Sequence, residues 1–269
     1  MLPIKKLYID SRLKASDSRS SSDFVVDLPE TLLMPENTVF YVDDVCIPVT
    51  WFNVDTNNNK LYVLFFPDNE RIDAVIEIPE GNYNISSLAT MLRRRMEEKL
   101  VQMGRSGFSI NQSVDSTKNT FTLSPSNDGW SFKIYTNADL DDLNIYTKPY
   151  ASINDTIGHS IPHSTVTFYS GLVDFHPIRN VYIHSPTLGS YNTLSLRGAR
   201  DIIKKVPINS NYNELVFNSV MFGQDFLDCS RQTLSRLAFR LEDVYGNVVN
   251  LRGSHWSFSI VFAKFDTEP

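Results

Sequence analysis

Cysteine is scarce: the chain of 269 residues holds two, Cys46 and Cys229. Two thiols cannot make the framework of a disulfide-stapled scaffold. Nothing else points to an oxidising compartment, so both are expected as reduced core residues, and a Cys46–Cys229 bridge is left open. Long apolar runs are missing too. The longest, such as Leu61 to Pro67, fall far short of the roughly 20 residues that cross a bilayer. No apolar stretch of the signal-peptide kind follows Lys5 and Lys6, so no secretion signal is read. The sequons at Asn84, Asn111 and Asn154 are therefore expected to be unused. There is no excess of positive charge: the net charge is -6 and the pI about 5.4. That argues against a dedicated nucleic-acid binder, which usually carries a basic stripe or surplus. No repeat period or low-complexity tract stands out, which argues against a solenoid or propeller.

What is present is an ordinary globular balance weighted towards rings. Apolar residues are 42% and charged ones 21%, which excludes wholesale disorder. Aromatic residues reach 12%, and flat rings pack well on pleated, half-buried surfaces, so the chain leans to β structure. The length fits one large domain or two small ones.

Residues 1–22 set Lys5, Lys6, Arg12, Lys14 and Arg19 against Asp10 and Asp17, and Ser16 to Ser22 is nearly all serine and charge. This reads as a mildly basic N-terminal arm whose start, Lys6 to Asp10, could add an edge strand. Strand signals follow. Phe24, Val26 and Leu28 alternate with Val25 and Asp27 until Pro29. Thr38 to Ile47, Lys60 to Phe66 and Ile72 to Ile78 each end at a proline. Then the period changes. Leu88, Leu92, Met96, Leu100 and Met103 line one helical face, with Ser86 as a candidate N-cap and Gly104 where a left-handed residue closes a helix. Short strands are expected at Gly107–Asn111, Thr120–Ser124 and Ser131–Thr136. From about Ser164 the β pattern returns, in Thr165–Ser170, Asn180–Ser185, Asp201–Val206, Glu214–Val220, Leu234–Glu242 and Trp256–Phe262. In the last of these Trp256, Phe258, Ile260 and Phe262 share a face, and Tyr245-Gly-Asn-Val is a hairpin signal before it. About nine strands thus flank a middle block. The expected fold is mainly β: a single jelly-roll sandwich of about eight antiparallel strands with an inserted small α+β domain. The expected division is an arm at 1–22, the jelly roll's first part at 23–71, the insertion at 72–158 and the second part at 159–269.

The motifs that carry catalysis are not in the sequence. There is no G-x-S-x-G elbow, no dinucleotide or Walker loop, and no H-E-x-x-H. His159 and His163 have the spacing of a helical metal pair, yet Gly158 and Pro162 oppose a helix, so a polar loop is expected. His176, His184 and His255 stand apart, and paired strand-edge histidines are the expectation. Asp139-Leu-Asp-Asp142 lacks the pattern of a calcium loop and reads as a solvated helix start. Arg93-Arg-Arg95 could meet phosphates, but Glu97 and Glu98 stand at salt-bridge spacing, so a solvated helix face is expected. No carboxylate pair stands out. No catalytic, cofactor or metal residue is assigned, and no enzyme activity is expected. An enzyme on a β-sandwich is the least favoured reading.

Several strings resemble one family. Ser22-Asp-Phe-Val-Val-Asp-Leu-Pro-Glu30, Tyr41-Val-Asp-Asp-Val-Cys-Ile-Pro48, Trp51-Phe52 and Ile78-Pro-Glu-Gly-Asn-Tyr83 look like the first half of penton, or minor capsid, proteins of Polinton (Maverick) and adinto-like viruses. Tyr182 to Gly189, Arg197 to Pro207, Asp243 to Leu251 and His255 to Phe262 resemble the second half. The resemblance implies a jelly-roll vertex protein of the virion, made as a soluble intracellular protein and assembling as a homopentamer. It implies a double-jelly-roll major capsid protein as partner, an outward insertion able to meet a host receptor, no specific nucleic acid and no membrane span. The adenovirus penton base is a more distant likeness. Its Arg-Gly-Asp integrin motif is not here, where only Arg197-Gly-Ala199 occurs. The basic arm is then expected to contact a neighbouring subunit. A jelly-roll module that binds a receptor or glycan is the alternative.

Overall fold

The computed structural model describes residues 3–67, 70–126, 128–161, 166–188, 193–219 and 226–264. It divides into two units: residues 1–51 with 178–269, and residues 52–177. The first unit holds β1 (Pro3–Asp10), β2 (Asp23–Leu33) and β3 (Thr38–Pro48). The second holds β4 (Lys60–Pro67), β5 (Ile72–Glu77), α1 (Ile85–Gln102), β6 (Ile110–Asp115), β7 (Thr120–Pro125), β8 (Trp130–Ile134), α2 (Asn137–Leu143) and β9 (Phe168–Tyr169). The chain then returns to the first unit with β10 (Asn180–His184), β11 (Ile202–Pro207), β12 (Leu215–Asn218), β13 (Leu227–Asp228), β14 (Thr233–Glu242) and β15 (Ser257–Lys264).

The first unit is two sheets, ordered β1-β15-β3-β12, with β13 also on β3, and β11-β10-β14-β2. Every pairing in them is antiparallel. The first strand pairs with the last, the second with the last but one, the third with β12, and β10 with β11. This is one long hairpin rolled over itself, which is the jelly roll. Its core is lined by Phe24, Phe40, Ile47, Leu237, Phe239, Trp256, Phe258 and Phe262. The alternating aromatic face of β15 points into that core. Its opposite face is buried as well at Ser259, Val261 and Ala263, and there the Ser259 hydroxyl donates to Asp44 at 2.6 Å.

Three sequence expectations are corrected in this unit. The described residues of the expected arm, 3–22, are not an arm. β1 pairs with β15 from Lys5 to Asp10. Beyond it the Ala15 amide donates to the Val25 carbonyl (2.7 Å), and the Trp256 indole to the Ser21 carbonyl (2.7 Å). Serines of the stretch serve as local partners instead: Ser18 Oγ accepts from the Val25 amide and Ser20 Oγ from the Asp23 amide, at 3.0 Å each; before it, Ser11 Oγ is buried and accepts from the Trp256 amide at 3.0 Å. Pro29 does not end β2. The ladder skips from Asp27↔Arg236 to Leu32↔Leu234, so Pro29 sits in a bulge where no ladder donor is required. The inserted unit spans 52–177 rather than 72–158. Strand β4, read from sequence as jelly roll, pairs with β5 and β8, and β9 pairs with β7.

The second unit has two three-stranded sheets, β5-β4-β8 and β6-β7-β9. Helix α1 buries Leu88, Ala89, Leu92, Met96 and Leu100 against Leu61, Phe65, Phe121, Leu123 and Phe132. Its N-cap is Asn84 rather than Ser86, because Asn84 and Ser87 exchange side-chain-to-backbone bonds at 2.9 Å each in a capping box. It ends where Gly104 adopts φ +77°. There the Gly104 amide donates to Val101 and the Arg105 amide to Leu100, the Schellman closure. Helix α2 is capped in the same reciprocal way by Thr136 and Asp139. It covers a smaller cluster of Tyr62, Leu64, Tyr135 and Leu140. Gly158 and Gly171 approach so closely that a Cβ on Gly171 would lie 2.4 Å from the Gly158 carbonyl oxygen. Among the described residues no helix is long and apolar enough to cross a membrane.

Candidate functional site

Several of the chemistry-bearing residues singled out above are held by partners within the fold. His159 is buried, with Nε2 2.9 Å from the Ile134 carbonyl and its ring edge-on to Phe168 at 5.0 Å. Its sequence partner His163 lies outside the described residues, so the pair is not tested. Among the described residues no group of three His, Cys, Asp or Glu side chains could hold a metal. Arg93 pairs with Glu97 at 3.0 Å, and Arg94 and Arg95 with Glu98 at 3.6 and 3.0 Å, so the arginine run is tied to its own helix. Asp139 caps α2 and meets Lys133 at 2.7 Å; Asp141 takes Lys148 and the Tyr150 hydroxyl at 2.6 Å each. That is the helix start the sequence suggested.

Asn154, one of the three sequons, is buried, and its amide nitrogen donates to the Tyr135 carbonyl at 2.9 Å. Cys46 and Cys229 are unpaired, so the bridge left open above is not formed. Burial pushes the Cys229 thiol up to about 12, with Asp228 adding to it.

One constellation was hidden in the sequence. His184, buried at the end of β10, has Nδ1 2.8 Å from an Asp201 oxygen and Nε2 3.2 Å from a Glu242 oxygen. Arg240 lies 2.5 Å from the other Glu242 oxygen. His184 was expected as a paired strand-edge histidine, and it is. Its partners were invisible because they stand 17 and 58 positions away. Only the pairing of β10 with β11 and β14 brings them together.

The outer surfaces of the jelly roll carry a different signal. On edge strand β12, Leu215 and Phe217 point outward, 61% and 64% exposed, either side of fully buried Val216. On β1, the opposite edge of the same sheet, Tyr8 is 78% exposed. Charges near β1 are paired internally, Lys6 to Asp43 at 2.6 Å and Lys5 to Glu30. Among the described residues, the large side chains exposed on these two edges, Tyr8, Leu215 and Phe217, are apolar or aromatic.

By sequence the chain matches no family model and no curated protein. By structure it is similar to the mavirus penton protein, solved as selenomethionine-labelled crystals, with a TM-score of 0.57 at 11% identity. The likeness covers 97% of this chain and 100% of that one. An overlap of that extent takes in both units, and the chain therefore has the fold of a penton protein along nearly its whole length.

Proposed function

We propose that this chain is a viral structural protein, a penton capsomer that assembles as a homopentamer at the vertices of an icosahedral capsid. The observation that carries the reading is the near-complete structural overlap with the mavirus penton protein, insertion included. The surface is compatible with it. A closed ring needs two unlike faces that meet head to tail. Strands β12 and β1 supply outward apolar side chains at opposite edges of one sheet. In this reading the protein works by contact and needs no active site. A double-jelly-roll major capsid protein surrounds the pentamer, the inserted unit is available to a host receptor, and the protein resides in the virion.

Light scattering on the purified chain tests this. A pentamer has a mass of about 150 kDa, five times the 30.7 kDa chain. Five-fold class averages by negative-stain microscopy are expected, alone or after mixing with the major capsid protein. A species that stays monomeric or dimeric in both conditions refutes the proposal. Phe217→Asp is expected to lower assembly while leaving the fold, since Phe217 is exposed in the single chain.

A further inference from the structure

We propose that the outward face of the sheet β6-β7-β9 is a binding surface for a neutral glycan. The register places five side chains on that face. Asn111 stands opposite Ser124, and Ser113 opposite Thr122, which in turn stands opposite Tyr169. Their sequence neighbours Ile110, Phe121, Leu123 and Phe168 are buried on the other side, in the core of the inserted unit. Adjacent strands lie about 5 Å apart, so the row Tyr169, Thr122, Ser113 spans about 10 Å, with Asn111 and Ser124 about 7 Å along the strands. That is the scale of one or two sugar rings.

The chemistry of the face matches such a ligand. An exposed tyrosine offers a ring to the C–H side of a sugar and a hydroxyl at its tip. Each Ser or Thr hydroxyl both donates and accepts, and the Asn amide does the same, as sugar hydroxyls do. Among the described residues no hydrogen bond occupies the side chains of Asn111, Ser113, Thr122 or Ser124. The platform is also set in advance. Tyr169 is 54% exposed, between buried Phe168 and buried Ser170. Phe168 packs on Phe121 at 5.9 Å and on His159 at 5.0 Å. Ser170 Oγ accepts from the Phe121 amide at 2.8 Å, and the Ser170 amide donates to the Phe121 carbonyl at 2.9 Å. A ring carried on a strand fixed at both ends gives up little freedom when a ligand covers it. Charge decides the kind of sugar. The inserted unit has ten Lys and Arg against fifteen Asp and Glu, which is five of the six net negative charges of the chain. None of the five side chains is charged, and the next residue of that face on β6, Asp115, is an acid paired with Lys118 at 3.6 Å. A sialylated or sulfated chain would bring negative charge to an acidic body with no basic group among the five to receive it, whereas neutral hydroxyls meet their complements. The inference rests on the receptor role proposed for the inserted unit, and not on how the chain assembles.

A glycan array probed with the purified full chain is the test. It carries galactose-, mannose- and N-acetylglucosamine-terminated oligosaccharides beside sialylated and sulfated forms of the same chains. Binding to neutral members is expected, weaker binding to their charged forms, and little change on adding salt. Tyr169→Ala is expected to lower affinity for the best neutral glycan by about tenfold or more. Ser113→Glu, at an exposed position, is expected to do the same with the ring intact. Urea unfolding read at Trp130 checks that each variant keeps the fold of the inserted unit; if Tyr169→Ala does not, Ser113→Glu decides. An array on which no neutral glycan binds, tighter binding of the sialylated or sulfated forms, or affinity surviving in both variants overturns the site. Light scattering on the same samples keeps the two readings apart. A chain that forms pentamers and binds no neutral glycan refutes the glycan site alone. A chain that binds one through Tyr169 but never assembles refutes the capsomer and leaves the site standing.

Discussion

Trp256 is the side chain on which the jelly-roll core most visibly depends, and its replacement can be worked through. It is 2% exposed. Its ring stacks on Phe258 at 4.7 Å and takes the edge of Phe24 at 5.7 Å, and its N–H donates to the Ser21 carbonyl at 2.7 Å. Trp256→Ala removes all of these and leaves a cavity, for a loss of about 3–5 kcal/mol. Trp256→Phe keeps an aromatic ring and loses the N–H, so the Ser21 carbonyl loses its donor. That costs about 1–1.5 kcal/mol for the bond and somewhat more for the missing ring volume, about 2 kcal/mol together. The assay is urea unfolding read by the remaining indoles. Trp51 lies in the jelly-roll core and Trp130 in the core of the inserted unit. Each Trp256 variant is paired with Trp51→Phe or Trp130→Phe, so that one indole reports one unit. The Trp51 signal is expected to shift to lower urea by the amounts above, in the order Ala, Phe, wild type. The assignment of Trp256 to the jelly-roll core is refuted if Trp256→Ala costs under about 1 kcal/mol on that signal. Equal losses for Ala and Phe would refute the share given to ring stacking.

Other consequences are more local. Asn84→Ala removes one arm of the capping box of α1 and is expected to cost the inserted unit about 1 kcal/mol, measured by urea unfolding on Trp130. Gly171→Ala would drive a Cβ against the Gly158 carbonyl, so a loss well above 1 kcal/mol is expected for it, against little change for Gly107→Ala, where nothing lies within 4 Å. Cys229 is buried and its thiol is pushed up to about 12, so at pH 8 a thiol reagent is expected to titrate half-buried Cys46 first and Cys229 only on unfolding. Burial opposes ionisation of Asp139, but hydrogen bonds from Lys133 and Thr136 outweigh it and hold the carboxyl below its usual value. Such a group stabilises the fold above its unfolded value and loses that effect as pH falls through its folded value. Asp139→Asn is therefore expected to be less stable than wild type at pH 7, and the gap in urea midpoint should close towards pH 2.

The elements with strong local signals were legible. The face Leu88, Leu92, Met96, Leu100 is where α1 buries itself, and the alternation from Trp256 to Phe262 is the core face of β15. Gly104 closes α1 because a left-handed residue is needed there and glycine supplies it without strain. What was misread depended on partners distant in sequence. Pro29 is a stop by local rules, and only the bulge opposite Ser235 makes room for it. Lys60 to Phe66 is plainly a strand, but nothing in its residues says that it pairs with Phe132 and Ile134 rather than with the jelly roll. The Ser16 to Ser22 stretch looked unable to bury anything, since Trp256, which closes over Ser21, comes more than 230 residues later. For the same reason His184 could be seen as a strand-end histidine but not as the bridge between Asp201 and Glu242.

The rolled hairpin has a consequence for the order in which the chain can fold. Strand β15 runs between β1 and β3, so that sheet has a gap in its middle until residues 257–264 are available. The inserted unit draws its strands and helices from one continuous stretch, 52–177. During synthesis it has its whole sequence while the surrounding sandwich has β1 to β3 and still lacks β10 to β15. Contacts between the first and last strands have the highest sequence separation the molecule contains, and such closures are slow and leave edges open while they wait. An early-folding insert inside a late-closing host makes the final strand, rather than the first, the step that commits the chain to its native state.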